Sequence, residues 1–249
     1  ADDLRMTANA INVLSGTTLT IDSGATITNS GTANNFGTTT IGGLTDVTMD
    51  ATNFTDGILI QPNSDGSAPT TGTLSSATGN VGIGKNVFLA LTSGDNNVVL
   101  GENAGDALTE ASDCVVIGSQ AGTDLTTGVN NVFVGRGAGA SITTGASNLA
   151  MGYGALDNCD AEQKNVAVGQ NALGGAIAGG ELNVAVGVDA GLVVTSGDEN
   201  TLIGYQAGSG VTTGANNTLI GRNAGAGDLV TGSNNICIGS GSDVAAGDQ

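Results

Sequence analysis

The chain has 249 residues but a mass of only 24.0 kDa, because 43 of them are glycine. Six aromatic rings cannot anchor an ordinary core of that length. Two prolines without a three-residue glycine period exclude collagen, and 39 % apolar content excludes plain disorder. Five basic residues stand against 23 acidic ones, a net charge of −18 that repels a phosphate backbone and speaks against nucleic-acid binding.

The first elements in chain order are short strands with turns. Thr and Ser alternate with Ile, Val and Leu in Ile11-Asn12-Val13-Leu14, Thr18-Leu19-Thr20-Ile21-Asp22 and Ala25-Thr26-Ile27-Thr28. Residues 1–60 therefore read as a β-rich attachment region. The opening Ala1-Asp2-Asp3-Leu4-Arg5 lacks the charged-then-apolar pattern of a signal peptide, and no run of 18 apolar residues follows, so no membrane insertion is expected. Residues 61–79, rich in Pro, Ser, Thr and Gly, read as a linker.

Residues 80–243 are a repeat. A motif Asn-Φ-x-Φ-Gly, with Φ apolar, places its glycine at Gly84, Gly101, Gly118, Gly135, Gly152, Gly169, Gly187, Gly204, Gly221 and Gly239, at intervals of 17 or 18. Four residues earlier stand Asn80, Asn97, Asn131, Asn148, Asn165, Asn183, Asn200, Asn217 and Asn235, with Cys114 in the one remaining unit. Stacked coils would bring these asparagines into a hydrogen-bonded ladder along the axis. After the motif comes Ala-Gly, as in Ala121-Gly122. A second apolar position then precedes Thr-Thr-Gly, as in Leu125-Thr126-Thr127-Gly128. Each unit reads as two short strands and two tight turns, and about ten coils at roughly 4.8 Å each make a rod of roughly 48 Å. Residues 244–249 are left as a C-terminal tail.

The strand triplets, such as Val132-Phe133-Val134, are apolar on both faces, and one coil buries too few side chains to offset roughly 1–2 kcal/mol of chain entropy per residue. Oligomerisation is the expected remedy. The seam is expected at the middle residue of the triplet: Val99, Val116, Phe133, Ala150, Ala167, Ala185, Leu202, Leu219 and Cys237.

The units Asn131-Val132-Phe133-Val134-Gly135 and Asn200-Thr201-Leu202-Ile203-Gly204-Tyr205-Gln206-Ala207-Gly208, spaced by Thr-Thr-Gly-x-Asn-Asn, resemble the repeats of bacteriophage tail-fibre proteins. They are also similar to the head repeats of trimeric autotransporter adhesins, and Ile11 to Gly31 resembles the front end of marine phage fibres. The resemblance covers residues 80–240 closely and 8–45 loosely. It implies an all-β chain forming a left-handed parallel β-roll, a homotrimeric fibre, and a role in attachment from a virion surface, outside the cell. The partners implied are the chain itself, other virion structural proteins through the N-terminal region, and a host receptor or glycan. The departures are Cys114 and the unit from Asp157 to Lys164, which lacks Thr-Thr-Gly. No membrane-anchor domain follows the repeats in this sequence, so the expectation leans to the virion fibre over the bacterial adhesin. No self-cleaving chaperone domain follows them either, so trimerisation is expected to need another nucleus or a longer chain.

Little catalytic chemistry is legible. Without histidine there is no Ser/His/Asp or Cys/His set and no histidine-completed zinc site, and the three cysteines contain no CxxC pair, so they read as buried free thiols. Gly135-Arg136-Gly137-Ala138-Gly139 lacks the Lys-Ser/Thr of a phosphate loop. Calcium-loop patterns are absent, and the Thr-Thr-Gly turns do not form the strand array of an ice-binding face. Asp157, Asp160 and Glu162 cluster on one irregular loop, which leaves a glycan-cleaving tailspike as the enzymatic alternative. The expectation is a structural, non-catalytic protein with no cofactor.

Overall fold

The structure, a computed structural model, describes residues 47–51, 53–61, 71–227 and 231–243, all within one compact unit spanning residues 38–249. The strands anticipated between residues 11 and 28 and the tail 244–249 lie outside the described residues. Among those described the chain is all-β, with no helix.

Strand β1 (Val47–Ala51) pairs antiparallel with β2 (Phe54–Ile60). The short β3 (Ala77–Thr78) then lies parallel to β2, with Phe54 opposite Ala77. Ten three-residue strands follow, one per repeat: β4 (Val81–Ile83), β5 (Val98–Leu100), β6 (Val115–Ile117), β7 (Val132–Val134), β8 (Leu149–Met151), β9 (Val166–Val168), β10 (Val184–Val186), β11 (Thr201–Ile203), β12 (Thr218–Ile220) and β13 (Ile236–Ile238). Each pairs in parallel with the next, equivalent residue against equivalent residue, as in Val132↔Leu149, Phe133↔Ala150 and Val134↔Met151. The result is a β-solenoid of about nine turns between β4 and β13. Strand β2 joins the same sheet, with Ile58 opposite Val81, so residues 54–60 extend the stack on the N-terminal side of residue 80.

Only one strand forms per coil; the second one expected does not. At the Thr-Thr-Gly segment the N–H groups of Thr109, Glu110 and Ala111 all converge on the carbonyl of Thr126, each at 3.0 Å. Three donors sharing one acceptor make a turn, because a ladder needs donors and acceptors to alternate.

The glycine closing each motif is dictated by the stack. At Gly101 φ is 134°, a region that side chains rarely adopt, and a Cβ there would sit 2.6 Å from the carbonyl oxygen of Gly118 in the next coil. The core is built from four columns: the middle strand residue, the Ala three residues after the closing glycine, the position after that Ala, and the second apolar residue of the coil. Their volumes compensate within a coil. Where the middle residue is large, a glycine stands six residues on, as in Phe133/Gly139 and Leu202/Gly208. Where it is small the partner is large, as in Gly82/Phe88, Ala150/Leu156 and Ala167/Leu173. The exchange holds even though Phe88, Leu156 and Leu173 must then adopt φ of 60°, 51° and 47°. Filling the thin core outweighs about 1–3 kcal/mol of backbone strain. Ala185/Gly191 is the small–small exception, and there the Leu173 and Leu202 side chains reach in from the neighbouring coils, both 2.8 Å from where a Gly191 Cβ would be.

Candidate functional site

The asparagines form a continuous ladder interrupted once. Each is buried in the coil interior. In all but Asn235, whose Nδ2 reaches back to the Ser233 carbonyl at 3.2 Å, the Nδ2 closes its own coil by donating to a carbonyl 14 or 15 residues on, as in Asn80 to Gly94 at 2.8 Å and Asn200 to Gly214 at 2.9 Å. Its Oδ1 accepts the backbone N–H of the next asparagine, as in Asn200 to Asn183 and Asn217 to Asn200, both 3.0 Å. Several rungs add an Nδ2–H to the same oxygen, including Asn97 to Asn80 at 3.0 Å. Only a short side chain with a donor and an acceptor can do both jobs, which is why Asp and Gln do not replace it.

Cys114 accepts the place but not the role. Its N–H still donates to Asn97 Oδ1 at 3.0 Å, and its thiol reaches the Gly128 carbonyl at 3.4 Å. Burial pushes this thiol above the usual 9.0, more than the facing Asn131 N–H groups pull it down. Cys159 occupies the second apolar position of the irregular coil, and burial, reinforced by Glu162 and Asp157, pushes its thiol far up. All three cysteines are buried free thiols, and Cys237 is pushed up in the same direction, first by burial. A protonated thiol is a poor nucleophile.

The structure corrects the position of the expected seam. Val99, Val116, Phe133, Ala150, Ala167, Ala185, Leu202 and Leu219 are each 0 % exposed in the single chain, and Cys237 is 4 % exposed. They fill the coil's own interior against the Ala-Gly turn and offer nothing to a second chain. The flanking residues of each triplet face outward. Ile83 and Met151 are each 44 % exposed, Ile203 is 38 %, and Ile236 and Ile238 are 72 % and 68 %. Both faces of the triplet are apolar, so composition alone did not distinguish inside from outside. The Ala-Gly turn did carry the signal, because it fixes which side has room for only small partners.

The carboxylates of the irregular loop are engaged structurally. Glu162 stands where other coils have glycine or Ala, buried, and accepts the N–H of Asp160 at 2.7 Å and that of Gly179 in the next coil at 2.8 Å. Asp160 accepts the Thr143 hydroxyl of the preceding coil, and Asp157 accepts Asn158 Nδ2 at 2.9 Å. Burial raises the Asp157 carboxyl above its usual 3.8. The threonines of the turns likewise spend their hydroxyls along the axis, Thr109 donating to the Thr126 carbonyl and Thr126 to that of Thr143, both at 3.0 Å. Among the described residues no group of three or more Cys, Asp and Glu side chains is arranged to hold a metal ion.

One column went unnoticed in the sequence. The residue following each closing glycine points outward, and these positions hold Lys85, Arg136 and Arg222 together with both tyrosines, Tyr153 and Tyr205. The Arg136 guanidinium lies 5.7 Å from the Tyr153 ring centroid, and that of Arg222 lies 5.8 Å from Tyr205. Lys85 pairs with Glu102 at 3.8 Å. Reading the chain as aligned 17-residue rows would have shown the column, since each pair is one repeat apart. No family model matches the chain, and no curated protein or solved structure is significantly similar to it.

Proposed function

We propose that this chain is a structural fibre subunit, assembled as a homotrimer, that projects from a virion to hold it to a host surface. The observation that carries the reading is the outward face of the strand column. In ten successive coils both flanking triplet positions are apolar or threonine, a face roughly 48 Å long at the parallel-strand spacing. Isolated exposed apolar residues are ordinary, whereas a contiguous run marks a contact surface. Copies of the same chain are the natural cover, because a face repeating every coil is matched in spacing by another face with the same repeat. The number three and the virion as owner are supported by the resemblance of the Asn-Φ-x-Φ-Gly units to tail-fibre repeats.

The seam in this reading uses residues such as Ile117, Val134, Met151 and Val168. The N-terminal region, residues 1–60, would carry the docking to other virion components. A bacterial trimeric adhesin is the same assembly with another owner. The tailspike alternative is disfavoured by the loop geometry, since Asp157, Asp160 and Glu162 already hold coil-to-coil or local hydrogen bonds. Negative-stain microscopy of the purified chain should show thin rods, and host-surface glycans incubated with it should release no new reducing ends. Glycan cleavage that disappears in Asp160→Ala would overturn the non-catalytic reading, and a monomeric protein would overturn the fibre.

A further inference from the structure

We infer that the outward column following the closing glycines is a binding stripe for an acidic polysaccharide lying along the solenoid axis. Resting on the fibre reading above, this names the class of surface polymer the fibre would hold. Residues 80–243 contain four cations, Lys85, Arg136, Lys164 and Arg222, and three of them stand in this one column. The acidic side chains gather elsewhere, on the turns before the asparagines (Asp95, Asp113, Asp198, Glu199) and beside the Ala-Gly turn (Asp106, Asp124, Asp157). In the column itself the one acid is Glu102, which Lys85 neutralises. In the adjoining column the one acid is Asp189, which accepts Asn171 Nδ2 at 3.1 Å. The Asp157 carboxylate also reaches beside Gly154 of that adjoining column. On a chain of net charge −18 the positive charge of the strip therefore sits at its two ends, on Arg136 and Arg222, with no ion pair at either among the described residues.

Its layout runs Arg136, Tyr153, Gln170, Val188, Tyr205, Arg222, one residue per coil, so two Arg–Tyr pairs face each other in mirrored order. At the parallel-strand spacing the two rings are about 14 Å apart and the two guanidinium groups about 24 Å. Tyr153 is 54 % exposed and Tyr205 46 %, so a large part of each ring stays open. The exposed rings offer flat apolar contact to the C–H faces of sugars, and the flanking guanidinium groups take carboxylates or sulfates in paired hydrogen bonds. An extended ligand is required, because no small molecule spans the line. Nucleic acid is the poorer fit, since duplex DNA presents a charge about every 1.7 Å and is repelled more strongly by a chain of net charge −18 than a polymer with one carboxylate per sugar or disaccharide. Each contact is weak, and several chains in one fibre would multiply it.

The test is calorimetric titration of the full chain with hyaluronan, alginate and polygalacturonate, beside neutral dextran and poly-glutamate as probes of ring and charge alone. The stripe predicts binding to at least one uronate polymer, at least tenfold tighter than to dextran or poly-glutamate. It also predicts at least tenfold loss in Arg136→Gln/Arg222→Gln and in Tyr153→Leu/Tyr205→Leu, with Lys164→Gln unchanged. Light scattering on the same samples keeps the two readings apart. A trimer that binds none of the three uronate polymers, or binds poly-glutamate equally well, overturns the stripe and leaves the fibre standing. Binding by a single-chain protein overturns the fibre and leaves the stripe. Variants that fall apart into single chains would make the column a seam between copies, which also overturns the proposal.

Discussion

Replacing Phe133 by Ala removes the largest side chain of its coil. The ring fills space in two coils: it lies 2.8 Å from where a Gly139 Cβ would stand and 3.1 Å from that of Gly122 in the coil before. Neither neighbour can collapse into the void, since both are glycines fixed in the stack, so the loss should lie at about 3–5 kcal/mol. Gly139→Leu alone should also destabilise, by about 1–3 kcal/mol of overpacking against the ring and about 1 kcal/mol of strain at φ 60°. The double variant recreates the arrangement of Ala150 with Leu156, one coil along, where Leu156 is fully buried at φ 51°. It should be more stable than the sum of the single losses by about 2–3 kcal/mol. Equilibrium urea unfolding followed by circular dichroism, at one fixed chain concentration, measures the cycle. Additive losses would refute volume compensation as the rule that pairs these columns.

Cys114→Asn should restore the missing rung, with its Oδ1 accepting the Asn131 N–H, and stabilise by about 1 kcal/mol in the same assay. Deleting one whole unit, Asn131 to Ser147, should leave a folded rod about 4.8 Å shorter, whereas deleting eight residues should abolish folding, as judged by circular dichroism and microscopy. Stability should rise as pH falls from neutral toward 3.8, because burial raises the Asp106 and Asp157 carboxyls in the folded chain, so that the folded state binds protons more tightly than the unfolded one. Asp157→Asn should raise the neutral-pH melting temperature and flatten that dependence. Val134→Lys with Val168→Lys should give smaller particles in light scattering while the coil's circular dichroism is retained.

Much of the fold was legible because the repeat constrains local chemistry tightly. The closing glycine is required by the carbonyl of the next coil, and the asparagine by two simultaneous hydrogen-bonding duties. Both therefore recur in every unit with little variation and can be counted along the chain. The direction of the triplet was not legible from its own composition, since Val132 and Phe133 are equally apolar; the signal lay only in the Ala138-Gly139 turn, against which Phe133 packs. The second strand was misread because Thr-Thr-Gly has the composition of a strand end. Its donors nevertheless converge on one carbonyl, a geometry no local pattern announces. The Arg–Tyr column escaped for another reason: partners 17 residues apart look unrelated along the chain and become neighbours only when coils stack.

The mass of the assembled particle in solution tests the central claim most directly. The outward apolar face and the chain's 24.0 kDa predict a particle near three times that value by light scattering or native mass spectrometry. Val134→Lys with Val168→Lys should shift it to the single-chain mass. A folded, soluble wild-type protein at 24.0 kDa across working concentrations would contradict the account, because the strand face would then be stable in water without a partner.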